Sequence, residues 1–311
     1  MEVIRSGFRE GVHHGSVVLL DAGGAVYRAV GEVHRPIFPR SSNKPLQALA
    51  MLRAGLDPAE EADLALVCAS HNGEPAHVER ALRVLASAGL AEDDLRCPPD
   101  LPLHEPSAHA VLAAGTGRRR VYMNCSGKHA GMLATCVARG WSLPDYIRPD
   151  HPLQEAIAAT VAERAGEAVA ATGVDGCGAP LYAVSLAGLA RAFAGLTTAP
   201  AGSTPRRVAD ALRTHPFLVA GTGREDTRLM TAVPGLACKS GAEGVQAAAL
   251  PDGRAVALKI DDGAARARLP VMVAALRALG VDEPGLDALA EEPVLGGGSA
   301  VGCARLIPGA L

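Results

Sequence analysis

Arg40-Ser41-Ser42-Asn43-Lys44-Pro45 is the stretch from which the rest of the chain can be read. Ser41 and Lys44 stand at the mouth of a helix with the spacing that puts a hydroxyl and an amine on one face, a turn apart. A serine hydroxyl is a weak nucleophile until a neighbouring base takes its proton. A lysine one turn on can do so once it has lost its own. Leu46, Leu49, Met51 and Leu52 then give the helix an apolar face. Pro45 suits a first turn, whose N–H groups have no internal partner, and Ser41 or Ser42 is expected to cap the helix. Taken alone, the signal is weak, and a plain cap followed by a solvated lysine is the readier reading.

Two further stretches change that balance. Ser70-His71-Asn72 follows the apolar run Leu64–Ala69, and Lys239-Ser240-Gly241 follows Ala232–Cys238. Ser-x-x-Lys, Ser-x-Asn and Lys-Ser-Gly in that order form the three-part signature of serine β-lactamases and penicillin-binding proteins. Each piece is common by chance; the ordered set is more specific.

Composition excludes several classes. The chain has 311 residues, enough to bury a sizeable core, and its net charge of −3 offers no general attraction for nucleic acid. Arg118-Arg119-Arg120 reads as a solvated loop, and with aromatics at 3% there is little to stack on bases. No uncharged apolar run reaches membrane-spanning length, and the first ten residues lack the apolar region of a secretion signal. Seven cysteines, an odd number, point to reduced thiols and a cytoplasmic location.

The order of elements gives the fold class. Ser16–Leu20 and Ala25–Val30 read as a hairpin, as do Gly244–Leu250 and Arg254–Ile260 around Pro251-Asp252-Gly253. Between them, helices are expected from about Ser42 to Ala54, Pro75 to Ala88, Asn124 to Arg139, Asp150 to Ala165, Leu181 to Phe193, and from Thr204 to before Pro216. Residues 97 to 120 read as a long loop. A helix from about Ala264 to Leu279 and a strand Val301–Leu306 close the chain. This is an α+β, β-lactamase-like layout: one domain over residues 1–311, an antiparallel sheet drawn from both chain ends, and a helical region inserted over roughly residues 40–220.

A second constellation lies in Asn124-Cys125-Ser126-Gly127-Lys128-His129 and Asp175-Gly176-Cys177-Gly178. A helix start carrying Cys125, Lys128 and His129 brings them near one face, and a helix N-terminus favours thiolate, the metal-binding form of cysteine. The two cysteines have no zinc-knuckle spacing, so small buried residues remain an equal reading.

Together these blocks, with Pro39–Gln47, Cys68–Glu74, Gly221–Thr227 and Lys239–Val245, resemble the Rhizobium etli-type, or asparaginase II, family of L-asparaginases over nearly the whole chain. The resemblance implies a fold similar to serine β-lactamases and glutaminases, a homodimer, and hydrolysis of L-asparagine to L-aspartate and ammonia. It implies two serine–lysine pairs in one pocket, Ser41–Lys44 and Ser70–Lys239, and a zinc site made by Cys125, Lys128 and Cys177. Glu225 stands where some members are expected to carry an apolar or aromatic residue.

The expected mechanism has Ser41 as nucleophile and Lys44 as its base, with Ser70 and Lys239 relaying protons and orienting substrate. His71, Asn72, Lys128, His129 and Asp175 are candidate substrate contacts. A free lysine is neutral in only about one molecule in 2,500 at pH 7, so the site must lower its pKa, by burial or a neighbouring cation. Two alternatives use the same residues. A β-lactamase-like esterase or peptidase would cleave a β-lactam or ester without releasing ammonia from asparagine. A zinc-stabilised binding protein would turn over no amide.

Overall fold

The computed structural model describes residues 1–311. Its centre is a five-stranded antiparallel sheet in the order Val26–Val30, Gly15–Leu20, Ala255–Ile260, Val245–Ala249, Ala237–Gly241. The two expected hairpins therefore lie side by side, joined by pairing of Val18 with Ala257. Apart from the exposed edge strand Val26–Val30, the sheet is buried on both faces, and alternate residues serve different cores. Val18, Leu20, Ala247, Ala249, Ala255 and Ala257 pack under the helix Leu186–Thr197, whose Leu189 and Phe193 they meet. The alanines matter here because a face of small side chains lets a helix sit close. Val17, Leu19, Val256 and Leu258 join the larger core on the other side, with Leu269, Met272 and Leu276 of the helix Arg268–Ala278.

A second sheet also draws on both termini: Glu291–Gly296, Ser299–Arg305, Glu2–Arg5 and Phe8–Val12. The layout is thus α+β with antiparallel sheets from the two chain ends and helices between. The ends supply two sheets rather than one, because the N-terminal strands and the hairpin at 291–305 pair with each other and leave the central sheet to residues 15–30 and 237–260.

The apolar run Leu64–Ala69 is buried, in and just after a short helix, Glu61–Val67. The helical region departs from the sequence reading at three places. Residues 97–120 contain the helix Glu105–Ala113. Pro180–Tyr182 and Val184–Ser185 are short strands, so the helix expected from Leu181 begins at Leu186. Neither Ser41 nor Ser42 caps a helix. Arg40–Asn43 form a 3-10 turn that runs straight into Lys44–Arg53, and the Ser42 hydroxyl donates to the Pro39 carbonyl at 2.6 Å.

Two glycines set the spacing around the future site. A Cβ at Gly127 would stand 2.6 Å from the Leu66 carbonyl oxygen, and one at Gly131 would stand 2.7 Å from a Val67 methyl. The helix Ser126–Arg139 therefore lies directly against Glu61–Val67. That contact brings Cys125 alongside the Ser70 turn.

Candidate active site

The turn bearing Ser41 is held from two directions. Arg40, with φ of 52°, occupies the left-handed region that a non-glycine residue enters only at a cost. Its guanidinium bonds the Asp175 carboxylate at 2.9 Å, which supports that conformation and ties the turn to the Asp175–Gly178 loop. On the other side the strand Ala237–Gly241 passes edge-on. A Cβ at Gly241 would come within 2.5 Å of the Pro39 oxygen and 3.1 Å of the Ser42 nitrogen, so only glycine lets strand and turn touch. Ser41 is partly exposed, and its hydroxyl has no hydrogen-bond partner within the protein.

Lys44 points inward from the first turn of its helix and is wholly buried. Its amine meets the Ala69 carbonyl, the Ser70 hydroxyl at 2.9 Å and the Cys125 sulfur at 3.0 Å, and no carboxylate pairs with it. Burial pushes its pKa below the ordinary 10.5; the Lys128 and Lys239 cations push the same way, while Cys125 pulls against them. Among the two serines, Lys44 thus hydrogen-bonds Ser70 and makes no hydrogen bond to Ser41.

Lys239 does not bond Ser70. It bonds Asp226 at 2.9 Å and the Ser240 carbonyl at 2.9 Å, all fully buried. Asp226 also accepts from the Ser240 N–H at 3.0 Å, the Ser240 hydroxyl at 2.8 Å and the Gln246 amide at 3.3 Å. Burial alone would raise its pKa, but Lys239 and the Ser240 donors outweigh burial and hold it well below the usual carboxylate range. Next to it, burial lifts Glu225 to about 7 despite the Arg268 guanidinium, which bonds it at 3.1 Å. Arg268 also donates to the Gly241 carbonyl, fastening the end of the strand.

Cys125, Lys128 and Cys177 are brought together. The Lys128 amine lies 3.0 Å from the Cys177 sulfur, and all three residues are buried. The neighbouring Cys125 and the Lys128 ammonium hold Cys177 well below its ordinary pKa against burial, while Cys125, whose thiol donates to the Asn124 side-chain oxygen at 3.0 Å, is pushed well above. Burial works against the Lys128 charge, but the Cys177 sulfur beside it overcomes burial and keeps the ammonium. Two sulfurs and an amine are donor types that zinc accepts, so the residues present would fit the ion. Metal binding here would have to release protons from Cys125 and Lys128. No cluster of three His, Cys, Asp or Glu side chains exists, so lysine is an obligatory member of any such site.

The remaining candidates separate by how much of each side chain is free. Both His71 ring nitrogens are committed, one to Ser126 at 2.9 Å and one to the Gly73 N–H at 3.1 Å, and burial pushes its pKa well down, so it is neutral. Asn72 is likewise engaged: its amide donates to Glu74 and to the Thr222 carbonyl, and its oxygen accepts from Arg224 at 3.1 Å. Glu74 in turn takes the Thr222 N–H and hydroxyl at 2.8 Å each. His71 thus fastens the Ser70 turn to Ser126, and Asn72 fastens it to the 220–224 loop, so neither side chain faces an open space. His129 bonds the Tyr146 hydroxyl at 2.6 Å and keeps a buried Nε2 without a partner. Asp175 is tied to Arg40 and to its own loop.

Sequence reasoning gave no role to Arg40, Glu74, Arg224 or Asp226. A signal existed for Asp226, since a buried lysine needs a counter-ion and an acidic residue stood in the same Gly221–Thr227 block. Nothing in the sequence says which lysine it would serve.

A family model that fits almost the whole chain defines the class, which is that of amide-hydrolysing enzymes. The model is that of L-asparaginase II, it matches residues 1–306, and the chain belongs to this family. Among solved structures the chain is similar to a β-lactamase from Mycobacterium bovis, at 16% identity and a TM-score of 0.45, over 80% of this chain and 88% of that one. It is also similar to Mglu in its tris and glutamate form, at 15% identity and a TM-score of 0.36; the match covers 89% of this chain but only 61% of Mglu. No curated protein sequence matches.

Proposed function

We infer that the chain hydrolyses the side-chain amide of L-asparagine, with Ser41 as nucleophile and Lys44 as general base. The observation that carries this reading is the Lys44 amine: buried, without a carboxylate partner, on the turn that begins with Ser41 and in contact with Ser70. A neutral amine would cost roughly 4 to 5 kcal/mol at pH 7 for an unperturbed lysine. Burial and two neighbouring cations lower that cost.

Ser41 Oγ adds to the amide carbon and its proton passes to Lys44. Collapse breaks the C–N bond, and the proton returns to the departing nitrogen through Ser70, releasing ammonia and leaving an aspartyl ester. Water, deprotonated by Lys44, then cleaves the ester, and Lys44 returns the proton to the departing Ser41 oxygen. Arg40 and Asp175, a part-buried ion pair beside the nucleophile, offer the opposite charges that suit the carboxylate and ammonium of an amino acid. Cys125, Lys128 and Cys177 would hold zinc behind Lys44. Bound there, the ion would supply a fixed positive charge that helps position the substrate.

The direct Lys44–Ser70 contact favours one second reading, with Ser70 as the nucleophile. Ammonia release by Ser41→Ala and Ser70→Ala separates the two. Ser41→Ala is expected to lose essentially all turnover, since no covalent route remains. Retention of more than about a tenth of wild-type kcat by Ser41→Ala, with none in Ser70→Ala, would transfer the role to Ser70. Substantial turnover in both would end the serine mechanism.

A homodimer completes this proposal. The helix Glu105–Ala113 buries none of its residues, and its Leu112 and the preceding Leu103 are about half exposed, which supports a covering partner. No helix is long and apolar enough to cross a membrane.

A further inference from the structure

Lys239 and Lys44 have different surroundings although both are buried. Lys44 meets a carbonyl, a hydroxyl and a sulfur; Lys239 meets a carboxylate. Asp226 sits in the first turn of the helix Glu225–Ala232, where unpaired N–H groups favour a negative charge. From there it takes Lys239, the Ser240 backbone and the Ser240 hydroxyl, so one carboxylate fixes two successive residues of the strand that borders the Ser41 turn. Gln246, directly across from Ser240 in the sheet, supports the carboxylate from the neighbouring strand. A carboxylate this deeply buried is costly unless paired, and leaving either partner alone costs more than removing both.

We propose that Asp226 is a positioning residue: it anchors Lys239 as a fixed cation beside the Lys44–Ser70 pair and so removes Lys239 from service as a second base. The division of labour follows from the contacts. Lys44, with no carboxylate to hold its proton, exchanges protons; Lys239, held by Asp226, supplies charge and shape. This builds on the serine–lysine reading of the site but concerns a different pair of residues.

The test is a double-mutant cycle of Asp226→Asn and Lys239→Met, read by ammonia release and by thermal melting of the full chain. Asp226→Asn should lower kcat about 30- to 100-fold, the effect of misplacing a group by roughly 1 Å, with KM within about threefold of wild type. In the Lys239→Met background the same change should cost nothing further, because the residue acts through Lys239. A structural role for Asp226 alone would instead repeat its cost there. The double variant should also melt above either single one, since it leaves no unpaired buried charge. Should Asp226→Asn fail to fold, Lys239→Met against the double variant still decides the question. Should Lys239→Met have no measurable turnover, the kcat-against-KM split of Asp226→Asn decides it, assayed well below that variant's melting point so that a loss of stability alone would leave kcat unchanged. An Asp226→Asn enzyme within threefold of wild-type kcat, a cost that repeats without Lys239, or a double variant melting below both singles would overturn the proposal. Loss of the serine mechanism is distinguishable, because Ser41→Ala and Ser70→Ala would then retain turnover whatever this cycle shows.

Discussion

Replacing Gly241 with alanine should damage turnover without touching a reacting group. The added Cβ would stand 2.5 Å from the Pro39 oxygen, 3.1 Å from the Ser42 nitrogen and 3.3 Å from the Arg40 Cβ. Ordinary carbon contacts lie at about 3.5 to 4.0 Å, so the strand and the Ser41 turn must part by about 1 Å. All three obstructing atoms belong to one short segment, and two of them are backbone, so no rotamer change relieves the clash. Overpacking of this kind costs about 1 to 3 kcal/mol. In a chain of this size that lowers Tm by a few degrees, roughly 2 to 6 °C. Catalysis should suffer more, because a 1 Å displacement between nucleophile and supporting groups costs about a hundredfold in rate. The assay is ammonia release from asparagine, with melting measured on the same preparations. Gly11→Ala is the control, since a Cβ there meets nothing within 4 Å and should change neither quantity. A Gly241→Ala enzyme with more than about a third of wild-type kcat would refute the claim that strand and turn must touch for turnover.

Two further outcomes follow from the buried lysines and thiols. Cys125→Ser and Cys177→Ser should each reduce bound zinc, measured by elemental analysis, and raise KM more than they lower kcat; zinc-free, fully active wild-type protein would return both cysteines to the core. If neutral Lys44 is the base, kcat should rise with pH along a limb lying below the ordinary lysine value of 10.5, because burial, Lys128 and Lys239 all lower its pKa. The limb belongs to the coupled cluster, and measuring kcat rather than kcat/KM excludes titration of free asparagine. A limb at or above 10.5, or a Lys44→Arg enzyme that keeps its turnover, would remove Lys44 from the role.

Much of the fold was legible because its signals are local. The hairpin at 244–260 announces itself through Pro251-Asp252-Gly253 between apolar runs, and Gly140 ends its helix in the left-handed conformation expected of a glycine stop. Elements that carry no local pattern were not legible. Phe8–Val12 is an almost wholly exposed edge strand, and Glu105–Ala113 buries no residue, so neither shows the periodicity that marks a strand or a helix. The pairing of the hairpin Glu291–Arg305 with Glu2–Arg5 depends on residues some 300 positions apart meeting in space.

The site divides along the same line. The sequence by itself determined the chemical inventory: two serines, two lysines and the Cys125, Lys128, Cys177 group, on short polar stretches that follow apolar runs. It also determined that Ser41 and Lys44 share a turn. Tertiary structure decided who serves whom. Lys44 meets Cys125 as well as Ser70 because Gly127 and Gly131 let the helix Ser126–Arg139 close on Glu61–Val67, and Lys239 is taken by Asp226 because the first turn of the helix Glu225–Ala232 lies against the edge strand. A side chain's sequence neighbours are fixed by covalent geometry, whereas the partner of a buried amine is whichever polar group the packing leaves within about 3 Å, and only the assembled core sets that distance.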